Sequence, residues 1–185
     1  HRGEARRLAE KPAAAIGPMN CCSTERRNEA PGAEIVGAKS LRSPGTRSCP
    51  SCRGASRSVA RRTILLMLKP SLSDRAPEGN WRFCVGADCR VVYFAEEGDV
   101  VFTTGDLRLR VGLKEREDPI PLCYCFGFDE ADAREEIACI GASAIPQKIS
   151  AMIEQGSCAC ETRNPSGSCC LGEVIRAVTR LTAID

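Results

Sequence analysis

The rhythm of apolar and polar positions changes near residue 114. Before that point the apolar runs are short and separated by turn residues. Trp81 to Cys84 and Val91 to Phe94 are rich in aromatic and β-branched residues, which predicts strands. Val100 to Thr103 follows Glu96-Glu97-Gly98-Asp99, a sequence suited to a hairpin turn. Leu107 to Val111 alternates apolar residues with arginine, as a half-buried strand does. Thr63 to Leu68 is too short for its period to separate strand from helix. Beyond 114 the spacing is helical. Asp129 is suited to cap a helix over about 130–140, with Glu130 and Asp132 in its first turn and Gly141 at its end. Ile145, Ile149, Met152 and Ile153 mark a second helix, with Pro146 in its first turn and Gly156 after it. Val174, Ile175, Val178 and Leu181 mark a third over about 170–182. These stripes read as core rather than cofactor contacts, and no internal repeat is present.

The pattern divides the chain into three. Residues 1–48 are rich in Ala, Gly, Pro, Ser and Arg without periodicity and read as a disordered tail, in which Met19 is a candidate start. Residues 49–113 form a β-rich subdomain. Residues 114–185 form a helical subdomain, entered through the charged, proline-containing joint KEREDPIPL at 114–122. The fold class expected is α+β.

Composition changes this picture in one respect. Only 4% of residues are aromatic, so each core is thin, and thin cores usually need covalent or metal staples. Thirteen cysteines supply the means. The number is odd, so a fully paired disulfide framework is excluded. No signal-peptide pattern and no membrane-length apolar run is present, which points to a cytoplasmic protein with reduced thiols. The single histidine, His1, excludes histidine-dependent triads and histidine-ligated metal centres. A net charge of +2, with acids and bases interleaved, carries no signature of nucleic-acid binding. No nucleophile, base or phosphate loop pattern appears, so an enzyme is not expected.

The cysteines fall into two constellations. The first is Cys49-x2-Cys52 followed by Cys84-x4-Cys89. Two short loops that each present two sulfurs to one point make a tetrahedral thiolate cage, which suits structural zinc. The alternative is a reduced pair of loops without metal. Trp81, Phe83, Tyr93 and Phe94 flank the second pair and are candidates to pack around it. The second constellation is Cys123-Tyr124-Cys125, then Cys158-Ala159-Cys160, then Cys169-Cys170. A Cys-x-Cys pair closes poorly on one small ion and fits the iron of a cluster better. A second zinc or a reversible disulfide switch stays open on spacing alone. Cys139, inside the first predicted helix, reads as a buried small apolar residue. Cys21-Cys22 reads as an exposed reactive pair, or as a capture site for Cu(I) or Hg(II).

Cys49-Pro-Ser-Cys52, Phe83-Cys-Val-Gly-Ala-Asp-Cys89 leading into Val91-Val-Tyr-Phe94, Arg110 to Glu117, Cys123-Tyr-Cys125 and Asn164-Pro-Ser-Gly-Ser-Cys-Cys170 together resemble one family. It is the cysteine-rich N-terminal domain of the archaeal-type CopZ copper chaperones and their bacterial relatives. The resemblance spans about 49–182. It implies a zinc-binding β-rich subdomain and a helical subdomain similar to bacterioferritin-associated ferredoxin, which carries a 2Fe–2S cluster. The implied zinc ligands are Cys49, Cys52, Cys84 and Cys89. The implied cluster ligands are Cys123, Cys125, Cys160 and Cys170, with Cys158 competing with Cys160 and Cys169 with Cys170. The family continues into a metal-carrying domain with a Met-x-Cys-x-x-Cys loop, which is not found before Asp185. The implied function is a redox metallochaperone module that passes one electron to Cu(II), or handles mercury. Its partners would be a soft metal ion and a metal-transporting ATPase or separate carrier domain. A general electron-transfer ferredoxin for another partner is the alternative, and a zinc-only interaction module is a third reading.

Overall fold

The computed structural model describes residues 47–183. The chain opens with β1 (Ser56–Val59), helix α1 (Arg61–Met67), β2 (Trp81–Cys84), β3 (Val91–Ala95) and β4 (Val101–Thr103). The four strands form an antiparallel sheet in sequence order, β1-β2-β3-β4. Thr63–Leu68, left undecided by its length, is mostly helix α1. Thr63, Ile64 and Met67 share its buried side. The helix cannot run on because Lys69 precedes Pro70, and a residue before proline avoids helical backbone. Leu68 is already extended there and bridges to Leu107.

The sheet core contains Ile64, Met67, Leu68, Trp81, Phe83, Val92, Tyr93 and Phe102, all nearly inaccessible. The β3–β4 register shifts between Val91 and Tyr93, so three residues of β3 oppose two of β4. Such a bulge re-aims side chains. Here it lets the adjacent Val92 and Tyr93 enter the same core, while Val91 and Phe94 pack with Cys49, Cys84 and Cys89. Two expectations are corrected at this point. Trp81, Phe83 and Tyr93 belong to the main core, and of the flanking aromatics only Phe94 lies against the thiols. Leu107–Val111 is not a strand. Leu107 makes one isolated bridge, and its neighbours turn away toward the short 3-10 turn Gly112–Lys114.

The second region begins with a two-stranded hairpin, β5 (Pro121–Cys123) and β6 (Phe128–Asp129). Four helices follow: α2 (Glu130–Ile140), α3 (Ile145–Glu154), α4 (Cys160–Arg163) and α5 (Leu171–Thr182). Asp129 caps α2 by accepting from the Ala131 and Asp132 amides, and Asp132 accepts from the Asp129 amide in return. Gly141 ends the helix with φ +74°, a conformation that favours glycine. The buried side of α2 is Glu130, Ala133 and Ile137. Cys139 lies two residues past Ile137, on the far side of the helix, and is exposed rather than buried, which corrects its assignment to the core. Ile175, placed with the apolar stripe of the third helix, is 47% exposed, whereas Val174 is buried. No described helix is long and apolar enough to cross a membrane.

The two regions meet through α1 and β3 on one side and the α4–α5 segment on the other. The Tyr93 hydroxyl donates to the Pro165 carbonyl at 2.6 Å, with both groups buried. Thr63 Oγ1 donates to the Glu161 carbonyl at 2.7 Å. Arg57 pairs with Glu173 at 2.5 Å. Gly167 sits against Val59 and Thr63 at φ +66°, where a side chain would meet Thr63 Oγ1. The Tyr93 contact gives a direct test. Tyr93→Phe leaves the packing intact but strips a buried carbonyl of its donor. The expected loss is about 1–3 kcal/mol of stability, read as a lower urea midpoint of the metal-loaded protein.

Candidate metal centres

The first centre is built by two loops at one end of the sheet, beyond β2 and ahead of β3. Cys49 and Cys52 lie on a tight turn closed by the Cys49 amide donating to Gly54 O and the Arg53 amide donating to Cys49 O. Arg53 takes a positive φ of 57° to complete it. Cys84 is the last residue of β2, and Cys89 precedes β3. The four sulfurs lie within 4.8 Å of one another, with Cys49–Cys89 at 3.8 Å and Cys52–Cys84 at 3.6 Å. A tetrahedral zinc with bonds of about 2.3 Å sets its sulfurs about 3.8 Å apart. The donor set and its spacing therefore fit zinc.

The loops also arrange donors toward sulfur. The Gly54 amide donates to Cys52 Sγ and the Gly86 amide to Cys84 Sγ, each at 3.4 Å. A Cβ at Gly86 would come 3.1 Å from Cys52 Sγ, so glycine lets the second loop close over the first. Without metal the thiols differ in acidity. Burial pushes Cys84 up to about 12. Burial also opposes ionisation of Cys89, but the Val91 amide and the neighbouring thiols outweigh it and bring Cys89 down to about 7.

Lys114, which the sequence left among the charged joint residues, completes this centre. Its Nζ donates to Gly86 O at 2.8 Å and Cys89 O at 3.1 Å, the carbonyls of the Cys84–Cys89 loop. It also lies over the Phe83 ring. Four thiolates on one divalent ion leave a net charge of −2, and this ammonium offsets part of it. Lys114 belongs to the turn Gly112–Lys114, whose Gly112 amide donates to the Tyr124 hydroxyl at 2.8 Å. The Tyr124 hydroxyl in turn donates to Arg110 O at 3.1 Å. A Cβ at Gly112 would fall 1.8 Å from Pro121 O, so this turn is pressed directly onto β5. One chain of contacts therefore runs from the first centre to the Cys-Tyr-Cys hairpin.

At the second centre that hairpin turns with the Gly127 amide donating to Cys123 O. The sulfurs of Cys123 and Cys125 go to different partners. Cys123 lies 3.4 Å from Cys170, the residue that opens α5. Cys125 lies 3.7 Å from Cys160, the first residue of α4. Cys158 approaches Cys160 at 3.3 Å, and Cys125, Cys158 and Cys160 lie within 4.8 Å of one another. The Ala159 amide donates to Cys125 Sγ. Cys123, Cys160 and Cys170 are buried, while Cys125 and Cys158 are half-buried. Of the adjacent pair 169–170, it is Cys170 whose sulfur meets Cys123. The Cys170 thiol brings Cys123 down to about 7 and, helped by Cys158 and Cys125, Cys160 to about 5, both against burial. Cys170 itself is pushed far up, first by its contacts with Cys123 and Cys160. The Cys21–Cys22 pair lies outside the described residues.

Lys114→Met keeps the aliphatic stem over Phe83 and removes the charge and both donors. Transfer of zinc from this variant to a chromophoric chelator is expected to run about tenfold faster than from the parent protein, with unchanged zinc stoichiometry.

Residues 46–108 match a family model described as a zinc-binding domain, that of CopZ proteins. The chain is 36% identical over 122 residues to the copper chaperone CopZ of Archaeoglobus fulgidus, covering 66% of this chain and 57% of the relative. It thus spans little more than half the length of that protein. It is also similar to the X-ray structure of the CopZ N-terminal domain from the same organism. The TM-score is 0.58 and the identity 34%, covering 70% of this chain and 95% of the other. By this shared zinc-binding region and the near-complete coverage of the N-terminal domain, the chain belongs to the CopZ family.

Proposed function

We propose that this chain is the redox module of a metallochaperone, with structural zinc on Cys49, Cys52, Cys84 and Cys89 and a 2Fe–2S cluster on Cys123, Cys125, Cys160 and Cys170. It passes single electrons to a thiophilic metal ion, reducing Cu(II) to Cu(I), and is not an enzyme. The observation that carries the reading is the division of the second thiol set into two pairs, 3.4 and 3.7 Å apart. Each pair has about the tetrahedral edge of one metal centre, and tetrahedral thiolate sites suit zinc or iron–sulfur centres. Two pairs drawn from one Cys-x-Cys hairpin, joined through the Cys160–Cys170 contact, support a reading with two neighbouring irons. A bound 2Fe–2S cluster supplies reversible one-electron chemistry on four thiolates.

The protein's own contribution is shape and access. Cys123, Cys160 and Cys170 sit in the apolar core of the helical region with Ile145, Ile149 and Val174, which keeps water from that side. The Ala159 amide directs a donor at Cys125, and donors to ligand sulfur raise the potential of such centres. Cys125 and Cys158 lie at the accessible side, where a metal ion can approach. The copper chaperone name of the Archaeoglobus relative supports copper as the cargo. A cytoplasmic setting and delivery to a carrier domain or metal-transporting ATPase accord with that role.

Protein purified without oxygen is expected to be red-brown, with two irons and two sulfides beside one zinc. An EPR signal should appear on reduction with dithionite. Cys123→Ser and Cys170→Ser should each lose most of the iron and keep the zinc. Anaerobic addition of Cu(II) to the reduced protein should yield one Cu(I) per cluster, trapped by a Cu(I)-specific chromophore. A colourless protein with two zincs would overturn the reading, as would a cluster that bleaches irreversibly without forming Cu(I).

A further inference from the structure

Beside the four thiols of the proposed cluster stands Cys158, whose sulfur lies 3.3 Å from Cys160 Sγ and within 4.8 Å of Cys125 Sγ. It is half-buried, whereas Cys160 is only 1% exposed. Cys158 is therefore a more accessible residue than Cys160, with its sulfur in contact with the proposed ligand set. We infer that Cys158 is the receiving thiolate for the substrate copper ion, held beside the sulfurs of Cys125 and Cys160.

The inference rests on the cluster assignment above and names the place where the substrate ion docks. Soft ions of the copper type prefer thiolate to oxygen or amine donors. An ion in the plane of three sulfurs, at the roughly 2.3 Å of a metal–thiolate bond, separates them by about 4 Å. Cys160 Sγ lies 3.7 Å from Cys125 Sγ and 3.3 Å from Cys158 Sγ, and all three sulfurs lie within 4.8 Å of one another, so a small outward shift admits the ion. A thiolate already bonded to iron keeps lone pairs and can bridge to a second metal. Cys125 and Cys160 would serve in that way, and Cys158 would be the ligand that belongs to copper alone.

The step balances. Cu(II) binds Cys158 with loss of the thiol proton to solvent. A cluster held by Cys123, Cys125, Cys160 and Cys170 would supply the one electron, its Fe(II) becoming Fe(III), and the ion would become Cu(I). The cluster is reset by an external one-electron donor, a reduced ferredoxin or flavoprotein in chemical class and dithionite in the test. Cys139 provides a control, since it is an exposed thiol on α2 outside this group.

The test compares Cys158→Ser, Cys139→Ser and the parent holoprotein, each purified anaerobically with iron, sulfide and zinc measured first. Iron content and the EPR spectrum report the cluster assignment independently of copper. Cys158→Ser is expected to keep two irons and to bind one Cu(I) fewer in competition with a chromophoric chelator. Its cluster should be reoxidised by Cu(II) at least tenfold more slowly in stopped flow. Cys139→Ser should match the parent in all three. Equal Cu(I) binding and equal reoxidation in Cys158→Ser would overturn the inference and leave the cluster assignment standing. Loss of iron from Cys158→Ser, with Cys160→Ser keeping it, would overturn it differently, by making Cys158 a cluster ligand. A parent protein without iron would overturn both.

Discussion

Both candidate sites depend on sulfur atoms being held at the edge length of a metal tetrahedron. Pairs at 3.4 to 3.8 Å occur in both regions. Thiolates at that distance repel one another, so the chain can ionise them together only when a cation lies between them. In the helical region three cysteines, Cys123, Cys160 and Cys170, are themselves part of the seven-residue buried core. A metal held by these thiols would couple its binding to core formation, as in small domains whose ligands must be deprotonated before they can pack. The sheet region depends less on its metal. Trp81, Phe83, Tyr93 and Phe102 belong to a separate apolar core, and the thiols occupy one end of the sheet with Val91 and Phe94.

The two centres are not independent ornaments on two folds. Lys114 holds the Cys84–Cys89 loop by its carbonyls, and two residues earlier Gly112 rests on β5 and donates to Tyr124. On the opposite side, Tyr93 and Thr63 donate to backbone carbonyls of the segment between Cys160 and Cys170. Both ligand-bearing stretches of the helical region are thus registered against the sheet by buried or half-buried hydrogen bonds. A thiol site built from residues 123 to 170 needs such a frame, because metal ligation tolerates little drift in ligand position.

Much of this could be read from the chain before any coordinates. The strands at 81–84 and 91–94, and the helices capped at Asp129 and led by Pro146, follow from local composition and caps that tertiary packing had no reason to override. What could not be read has particular causes. Thr63–Leu68 is shorter than the span over which a period can be measured. Leu107–Val111 alternates like a strand, but Leu107 meets only Leu68 across a single bridge, and no neighbouring strand continues the pairing. Cys139 sits two positions from Ile137, and only the helix's actual rotation puts it on the solvent side. Lys114 was invisible because its role lies with loop carbonyls far earlier in the chain. Sequence spacing grouped the cysteines but left Cys158 against Cys160 and Cys169 against Cys170 open. That Cys170 meets Cys123 and that Cys160 is buried are three-dimensional facts that spacing does not carry.

Gly112 has an evolutionary consequence. With a carbonyl oxygen 1.8 Å from where a Cβ would stand, the position admits no side chain without moving β5. Every single-base change of a glycine codon that alters the residue adds at least that carbon. The seam between the two regions is therefore closed to point mutation at its tightest spot. A side chain at this residue is compatible with the fold only if β5 shifts with it.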